Sequence, residues 1–450
     1  MSEKYLIVGA GRSGICSAQL LEKLGKDYVI FDGNTELDKK AVAEKIGTKK
    51  DIHFILGFAK KEELEGIDIC VTSPGVPLES DILKTVSSCK IPLWSEIELA
   101  YRYDKGEVIG ITGTNGKTTT TSLTYEIVKE HNSNTLLVGN IEIPYTGRAA
   151  DSVQGGATVA EISSFQLETM LSFKPKVSAI LNITPDHLDR HKTMEFYAEV
   201  KKSIAKNQDE NDFCVLNYDD EVLRKFASEC KARVIYFSAK EKLTDGFYYA
   251  DGKIYIANGG VSEVFVDTSE VNLVGVHNFE NIMAAAAMTM SFGVPLDTIK
   301  RVVKRFVAVE HRIEYVATKG GVRYFNDSKG TNTDAAIKAI DAMPSKTVLI
   351  AGGYDKKSEY DEWVSRFPGK VRKLVLIGQT RENIAAACDK AGFTDYVFAE
   401  SLHEAVAICQ KEAKPGDCCL LSPACASWGM FKSYQQRGDM FKELVKAMED

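Results

Sequence analysis

An α/β chain of three domains built on parallel sheets is predicted by three observations. Short apolar runs alternate with helix-period segments throughout, two glycine-rich turns join a strand to a helix, and the pattern restarts after residue 312. The 450 residues suit two to four domains and can bury a core that needs no disulfide or metal staple. Hydrophobic residues at 44% and charged residues at 26%, with 34 Gly and 11 Pro, exclude collagenous, disordered and membrane-spanning classes.

Residues 5–8 form a strand that runs into Gly9-Ala-Gly-Arg-Ser-Gly14 and an apolar-periodic helix through Leu24, and a second strand at 28–31 ends in Asp32. This is a βαβ unit. Apolar runs at 67–72 and 91–94 lead to an acidic helix at 95–103, so residues 1–100 read as a Rossmann-like domain. A strand at 107–112 enters a second glycine-rich turn before a helix, and strands at 158–161 and 177–182 predict a parallel sheet of P-loop ATPase type over 101–308. An Ala-rich helix at 278–292, closed by Gly293-Val-Pro, and a basic helix at 296–306 end that domain. Strands near Tyr315 and Tyr324 and at 346–351, 373–377 and 418–421 form a C-terminal Rossmann-like domain, 309–450.

Fifty-six basic against 63 acidic residues leave a net charge of −7, which argues against sequence-independent binding of nucleic acid or anionic lipid. The ten cysteines show neither CxxC pairs nor Cys/His clusters at zinc spacing, so they read as thiols of a reducing compartment. The N-terminus runs directly into a strand and no 18 consecutive residues are apolar. A cytoplasmic protein with no membrane insertion is expected.

Gly113-Thr-Asn-Gly-Lys117-Thr118 lies between a strand and a helix, the context a nucleotide phosphate site requires. Glycines let backbone N–H groups turn inward, the helix presents its positive end, Lys117 meets the terminal phosphates and the Thr118 hydroxyl can ligate Mg²⁺. The strict P-loop pattern fails at Ile111. Glu161 closes the next apolar strand, where parallel sheets place ligands, and the segment from Asn182 to His191 concentrates imidazole and carboxylate at another strand end.

Together these motifs resemble the Mur ligases of peptidoglycan precursor synthesis: residues 112–118, 161–168, Asp186-His187-Leu-Asp, His277-Asn278 with Asn281, and His311-Arg312 all fit. Residues 326–332, Leu421-Ser-Pro-Ala-Cys-Ala-Ser427 and Gln436-Arg-Gly438 resemble the member of the family that adds glutamate. The resemblance implies that ATP phosphorylates the L-alanine carboxylate of UDP-N-acetylmuramoyl-L-alanine and that the amine of D-glutamate attacks the acyl phosphate. It also implies two Mg²⁺ ions and a monomer.

Site roles follow from the same resemblance. Gly113, Thr114, Asn115, Gly116, Lys117, Thr118, Thr119, Asn278, Asn281, Arg312, Asp327 and Lys329 would bind ATP, with the third domain closing onto it. Thr118, Glu161 and His187 would hold metal, joined by a carbamylated lysine, for which Lys201 and Lys202 are the candidates. Helix neighbours point about 100° apart, so only one can face the site, and the family spacing from Tyr197 to Ile204 favours Lys201. The UDP substrate would meet Arg12, Ser13, Asp32, Ser73, Gly75, Asn140 and Ser163, and D-glutamate would meet Thr331, Lys356, Ser427, Trp428 and Tyr434. The nearest rival readings are another Mur ligase or a folylpolyglutamate synthase. From other classes, a nicotinamide-dependent oxidoreductase would use Gly9 to Gly14 alone, and a nucleotide-sensing module would bind ATP without chemistry.

Overall fold

The computed structural model describes residues 3–141, 143–307, 310–355 and 358–449. The chain forms two compact units, Met1–Val266 with Glu280–Val303, and Asp267–Phe279 with Lys304–Asp450. The first unit holds two sheets and the second holds one.

The first sheet contains β1 (Lys4–Val8), β2 (Asp27–Asp32), β3 (His53–Leu56), β4 (Ile69–Thr72) and β5 (Leu93–Ser95) in the order β3-β2-β1-β4-β5, all parallel. Alternate residues of β1 serve different cores: Tyr5 and Ile7 join one cluster, Leu6 and Val8 another. A strand covered on both faces reads as a continuous apolar run, which is why it was legible in sequence. The cluster on the Tyr5 side continues into the second sheet through Trp94, Leu99, Tyr145 and Phe173, so the two sheets share one core.

The second sheet comprises β6 (Glu107–Thr112), β7 (Thr135–Gly139), β8 (Ala157–Glu161), β9 (Val177–Ile180), β10 (Phe213–Asn217), β11 (Arg233–Ser238), β12 (Gly246–Ala250), β13 (Lys253–Asn258) and β14 (Val261–Asp267). Its order is β14-β13-β12-β11-β10-β9-β6-β8-β7. From β7 to β12 the pairing is parallel, whereas β12 and β13 are antiparallel, an extension that the sequence analysis did not anticipate. Asp251 and Gly252 both take positive φ in that hairpin, at 50° and 75°, as a two-residue Asp-Gly turn requires.

The second unit's sheet has β15 (Glu314–Lys319), β16 (Val322–Asn326), β17 (Thr347–Ala351), β18 (Val371–Leu376), β19 (Tyr396–Phe398) and β20 (Cys418–Leu421), ordered β15-β16-β20-β17-β18-β19. All pairs are parallel except β15 with β16. Again the strands are covered on both faces, Leu349 and Ala351 on one side and Val348 and Ile350 on the other. Among the described residues no helix is long and apolar enough to cross a membrane.

Candidate active site

In the first unit, β6 ends at Thr112 and the helix Lys117–His131 begins after a four-residue turn. Gly113 and Gly116 have φ of 153° and 84°, and a Cβ on Gly116 would lie 2.4 Å from Asn281 Oδ1. Only glycine meets both demands at 116. Asn182 clamps the turn: its carbonyl and Oδ1 accept from the N–H groups of Thr114 (3.0 Å) and Asn115 (2.8 Å), and its Nδ2 donates to Asn115 O at 3.1 Å. The Lys117 ammonium donates to the carbonyls of Gly113 and Thr114 at 2.8 and 2.9 Å, which holds its charge over the turn. Thr118 lies half-buried and Thr119 buried in the first turn of the helix. Asn281 accepts from Thr120 Oγ1 at 3.1 Å, while Asn278 donates to Val274 O at 2.8 Å, so these two asparagines have separate protein partners.

Glu161, at the end of β8, is 2% exposed. Its Oε1 accepts from Asn140 Nδ2 at 2.9 Å, and Oε2 is buried without a hydrogen-bond partner. A buried carboxylate oxygen left open in this way suits a cation, and carboxylate with hydroxyl oxygens is the donor set of a hard one. Asn140 thus stands on Glu161 in this structure. Ser163 caps the helix Ser164–Leu167 in a reciprocal box with Gln166, whose Nε2 donates to the buried Glu96 at 2.7 Å.

Lys201 is 1% exposed, with its ammonium 4.7 Å from the centre of the Tyr197 ring. Burial, then the charge of Lys117, holds its pKa well below the ordinary lysine range, against the pull of Asp186. Lys202 points elsewhere and pairs with Glu199 Oε1 at 2.8 Å. His187 has φ 52° and an exposed ring, 3.5 Å from Asp186 Oδ2 and centred 4.9 Å from the Phe165 ring.

The first glycine turn is built by close approach: a Cβ on Gly14 would lie 1.8 Å from Gly9 O, and one on Gly9 3.0 Å from Ser73 Oγ. Asp32 accepts from the N–H groups of Ala10 at 2.7 Å and Asn34 at 2.9 Å, so it pins the turn. Arg12 and Gly75 are exposed and Ser13 and Ser73 half-buried around this end of the sheet.

In the second unit, Asp327 follows β16 and is buried, accepting from Ser422 Oγ at 2.7 Å and from the Ile313 N–H at 3.3 Å. Burial pushes its carboxyl up to about 7, against the charges of Arg312 and Arg437. Arg312 lies between His311 and Ile313, which both have positive φ, and its Nε is buried without a hydrogen-bond partner. The Lys329 ammonium lies 5.9 Å from the centre of the Tyr434 ring, and Tyr434 O accepts from Ser328 Oγ at 2.8 Å. Thr331 donates its N–H to Lys329 O at 2.9 Å. Ser427 is buried, whereas Trp428 packs against Tyr354, with ring centres 5.5 Å apart, beside a cleft of about 470 Å³ that Arg381 and Glu400 also line. Tyr434 and Trp428 therefore sit among different neighbours. Lys356 lies outside the described residues.

Sequence reasoning gave no role to Asn182, Arg190, Glu168, His191 or Arg437. The last is fully buried and donates to Ser328 Oγ, Ser328 O and Cys425 O at 3.0, 2.9 and 3.3 Å. Its signal was present in Gln436-Arg-Gly438, but the partners lie up to 109 positions away in sequence.

Three consecutive family descriptions match the chain: "Mur ligase MurD-like, N-terminal domain" over 3–95, "Mur ligase middle domain" over 111–289 and "Mur ligase, glutamate ligase domain" over 311–425. A Lachnospira eligens protein named UDP-N-acetylmuramoylalanine--D-glutamate ligase is 53% identical over 445 residues, covering 99% of this chain and 98% of that one. A protein of the same name from Lachnoclostridium phytofermentans is 48% identical over 450 residues, covering 100% and 99%. The solved structure of UDP-N-acetylmuramate-alanine ligase from Thermotoga maritima shares the fold, with a TM-score of 0.59 at 16% identity and full coverage of both chains. With similarity of this extent in all three sheets, the chain belongs to the Mur ligase family.

Proposed function

We propose that this chain is a cytoplasmic ligase that forms an amide between D-glutamate and the L-alanine carboxylate of UDP-N-acetylmuramoyl-L-alanine, converting ATP to ADP and phosphate. The observation that carries the reading is the phosphate turn ending in Lys117 together with the buried, half-satisfied carboxylate of Glu161. Full-length likeness to ligases named for this reaction supports the choice of substrates. In this reading the domains are 1–100, 101–308 and 309–450, and the chain acts as a monomer.

The barrier lies in bringing anions together. The start of the helix at Lys117 would receive the phosphates while the N–H groups of Thr114 and Asn115 stay on Asn182 and hold the turn in shape, and Lys117 offsets the charge that builds on the phosphates. A carboxylate oxygen of the L-alanyl arm then takes the terminal phosphoryl group and ADP departs. The D-glutamate amine attacks the acyl carbon, phosphate leaves, and the amine's surplus proton passes to solvent. Thr118, Glu161 and His187 would hold Mg²⁺, which when bound supplies neutralisation of phosphate charge. A neutral Lys201 amine is the form that condenses with carbon dioxide, and the resulting carbamate would add an anionic ligand. Arg12, Ser13 and the turn containing Ser73 and Gly75 would receive the UDP moiety, with Asp32 shaping the turn beside them. Roles for Arg312, Asp327 and Lys329 toward ATP, and for Thr331, Lys356, Ser427, Trp428 and Tyr434 toward D-glutamate, rest on the resemblance.

Phosphate release is the test. It should require both UDP-N-acetylmuramoyl-L-alanine and D-glutamate, fail with L-alanine or a diamino acid as acceptor, and nearly vanish in Lys117→Ala. Release with another amino acid alone would overturn the substrate assignment.

A further inference from the structure

We propose that Arg190 is a positioning residue that locks the turn at 73–76 to the segment carrying Glu161 and His187, and so sets the span between the grip on UDP and the reacting end of the substrate. The inference rests on the function proposed above. Arg190 lies on the four-residue helix Leu188–His191. Its Nη1 donates to Pro74 O at 2.7 Å and its Nη2 to Val76 O at 3.2 Å, one carbonyl on each side of Gly75. The same guanidinium grips Glu168 with two bonds, Nε to Oε1 at 3.2 Å and Nη2 to Oε2 at 2.5 Å. Its face lies 4.1 Å from the centre of the Phe165 ring, which in turn packs on His187.

One side chain therefore touches the turn after β4, the C-cap of the helix that follows Glu161, and the aromatic support of His187. Glu168 is almost fully buried, and burial raises its pKa while Arg190 opposes the rise. His191, also buried, stands 3.4 Å from Glu168 Oε1 through Nδ1 and 3.0 Å from Ser164 Oγ through Nε2, which closes the lock from the other side. Only a planar, five-donor cation serves two carbonyls and a carboxylate at once; a lysine has three donors about a point and no flat face for Phe165. The proposed substrate is long, with its uridine diphosphate at one end and its reacting carboxylate at the other. Loosening the turn at 73–76 would leave the phosphate turn intact and shift only that substrate.

The experiment is steady-state kinetics on full-length Arg190→Lys and Arg190→Ala, varying ATP, UDP-N-acetylmuramoyl-L-alanine and D-glutamate in turn. In both variants KM for the UDP substrate should rise on the order of 10- to 100-fold while KM for ATP stays within about threefold. Added guanidinium should lower the raised KM of the Ala variant and leave that of the Lys variant unchanged. Equal losses across all three substrates, a fall in kcat alone, or wild-type constants in Arg190→Lys would overturn the inference. If the Ala variant does not fold, the Lys variant, which keeps a cation beside Glu168, carries the same test. A wild-type chain that forms no product sinks the functional reading and this inference with it; wild-type turnover with unshifted variants sinks the inference alone.

Discussion

Asn140 separates two readings of the site, and its side chain can be removed cleanly. Its Nδ2 bonds Glu161 Oε1 at 2.9 Å, while its backbone N–H independently donates to Glu161 O at 2.8 Å. Asn140→Ala removes the first bond and keeps the second, so the strand end stays in place while the carboxylate loses its only side-chain donor among the described residues. A hydrogen bond to a buried carboxylate contributes about 1.5–3 kcal/mol, roughly a 10- to 150-fold change in an equilibrium. If Glu161 holds Mg²⁺ and Asn140 orients it, the half-saturating Mg²⁺ concentration for phosphate release should rise about 10- to 100-fold, the usual effect of losing a residue that orients a metal ligand. The assay titrates Mg²⁺ at saturating ATP, UDP substrate and D-glutamate. An unchanged Mg²⁺ dependence with a raised KM for the UDP substrate would refute the argument and return Asn140 to the substrate.

Three further outcomes are expected. Gly116→Ala should cost about 1–2 kcal/mol for left-handed backbone and about 1 kcal/mol more for displacing Asn281 from Thr120; urea melts and ATP titration should show both stability and binding reduced. Lys201→Met should abolish activity yet raise the melting temperature at pH 7 in bicarbonate-free buffer. With the native amine's pKa held well below its unfolded value, the unfolded chain binds the extra proton between the two, so wild-type stability rises with pH and the gap should narrow as pH approaches the ordinary lysine range, whereas Lys202→Met should keep activity. Asp327, pushed from 3.8 up to about 7, keeps its proton in the native state where the unfolded chain loses it. Wild-type stability is therefore fully present below the unfolded value and falls as pH rises toward about 7. Between pH 5 and 8 the stability of Asp327→Asn relative to wild type should climb by up to about 3 kcal/mol, and a constant gap in thermal melts would refute the assignment.

What sequence reveals here depends on how local the cause is. The strands at Tyr5 and Val348 stood out because both faces are buried and the run is continuous, and the two glycine turns because the geometry is set by adjacent residues. Helical direction showed that only one of Lys201 and Lys202 could face the site and the resemblance favoured Lys201, and the structure gives the two side chains opposite surroundings. The Asp251-Gly252 hairpin was readable by the same local logic and was passed over because the parallel pattern dominated the reading of that segment. Asp32 was expected near the UDP substrate from its spacing, and its carboxylate also accepts from the N–H groups of Ala10 and Asn34, which the spacing did not reveal. Arg190 and Asn182 fell within a segment marked for its imidazole and carboxylate, yet their own roles were not legible, since their partners lie as far as 116 and 67 positions away.

The charges at the phosphate turn explain why a lysine can be buried there. Lys117 has its protons directed at two carbonyls, which stabilise the ammonium form. Lys201 has the face of Tyr197 and a cationic neighbour, so a second ammonium there would meet both desolvation and repulsion. Methionine would fill the space without either penalty, so stability gives no reason for an amine at 201. In the proposed function the reason is chemistry of the uncharged amine. Conversion to a carbamate reverses the sign: the anion would attract Lys117 and would join Glu161 in drawing a cation to the end of the sheet. In the proposed function the lysine held below its ordinary pKa and the carboxylate oxygen left without a partner would both be satisfied by a bound cation, the first as a carbamate and the second directly.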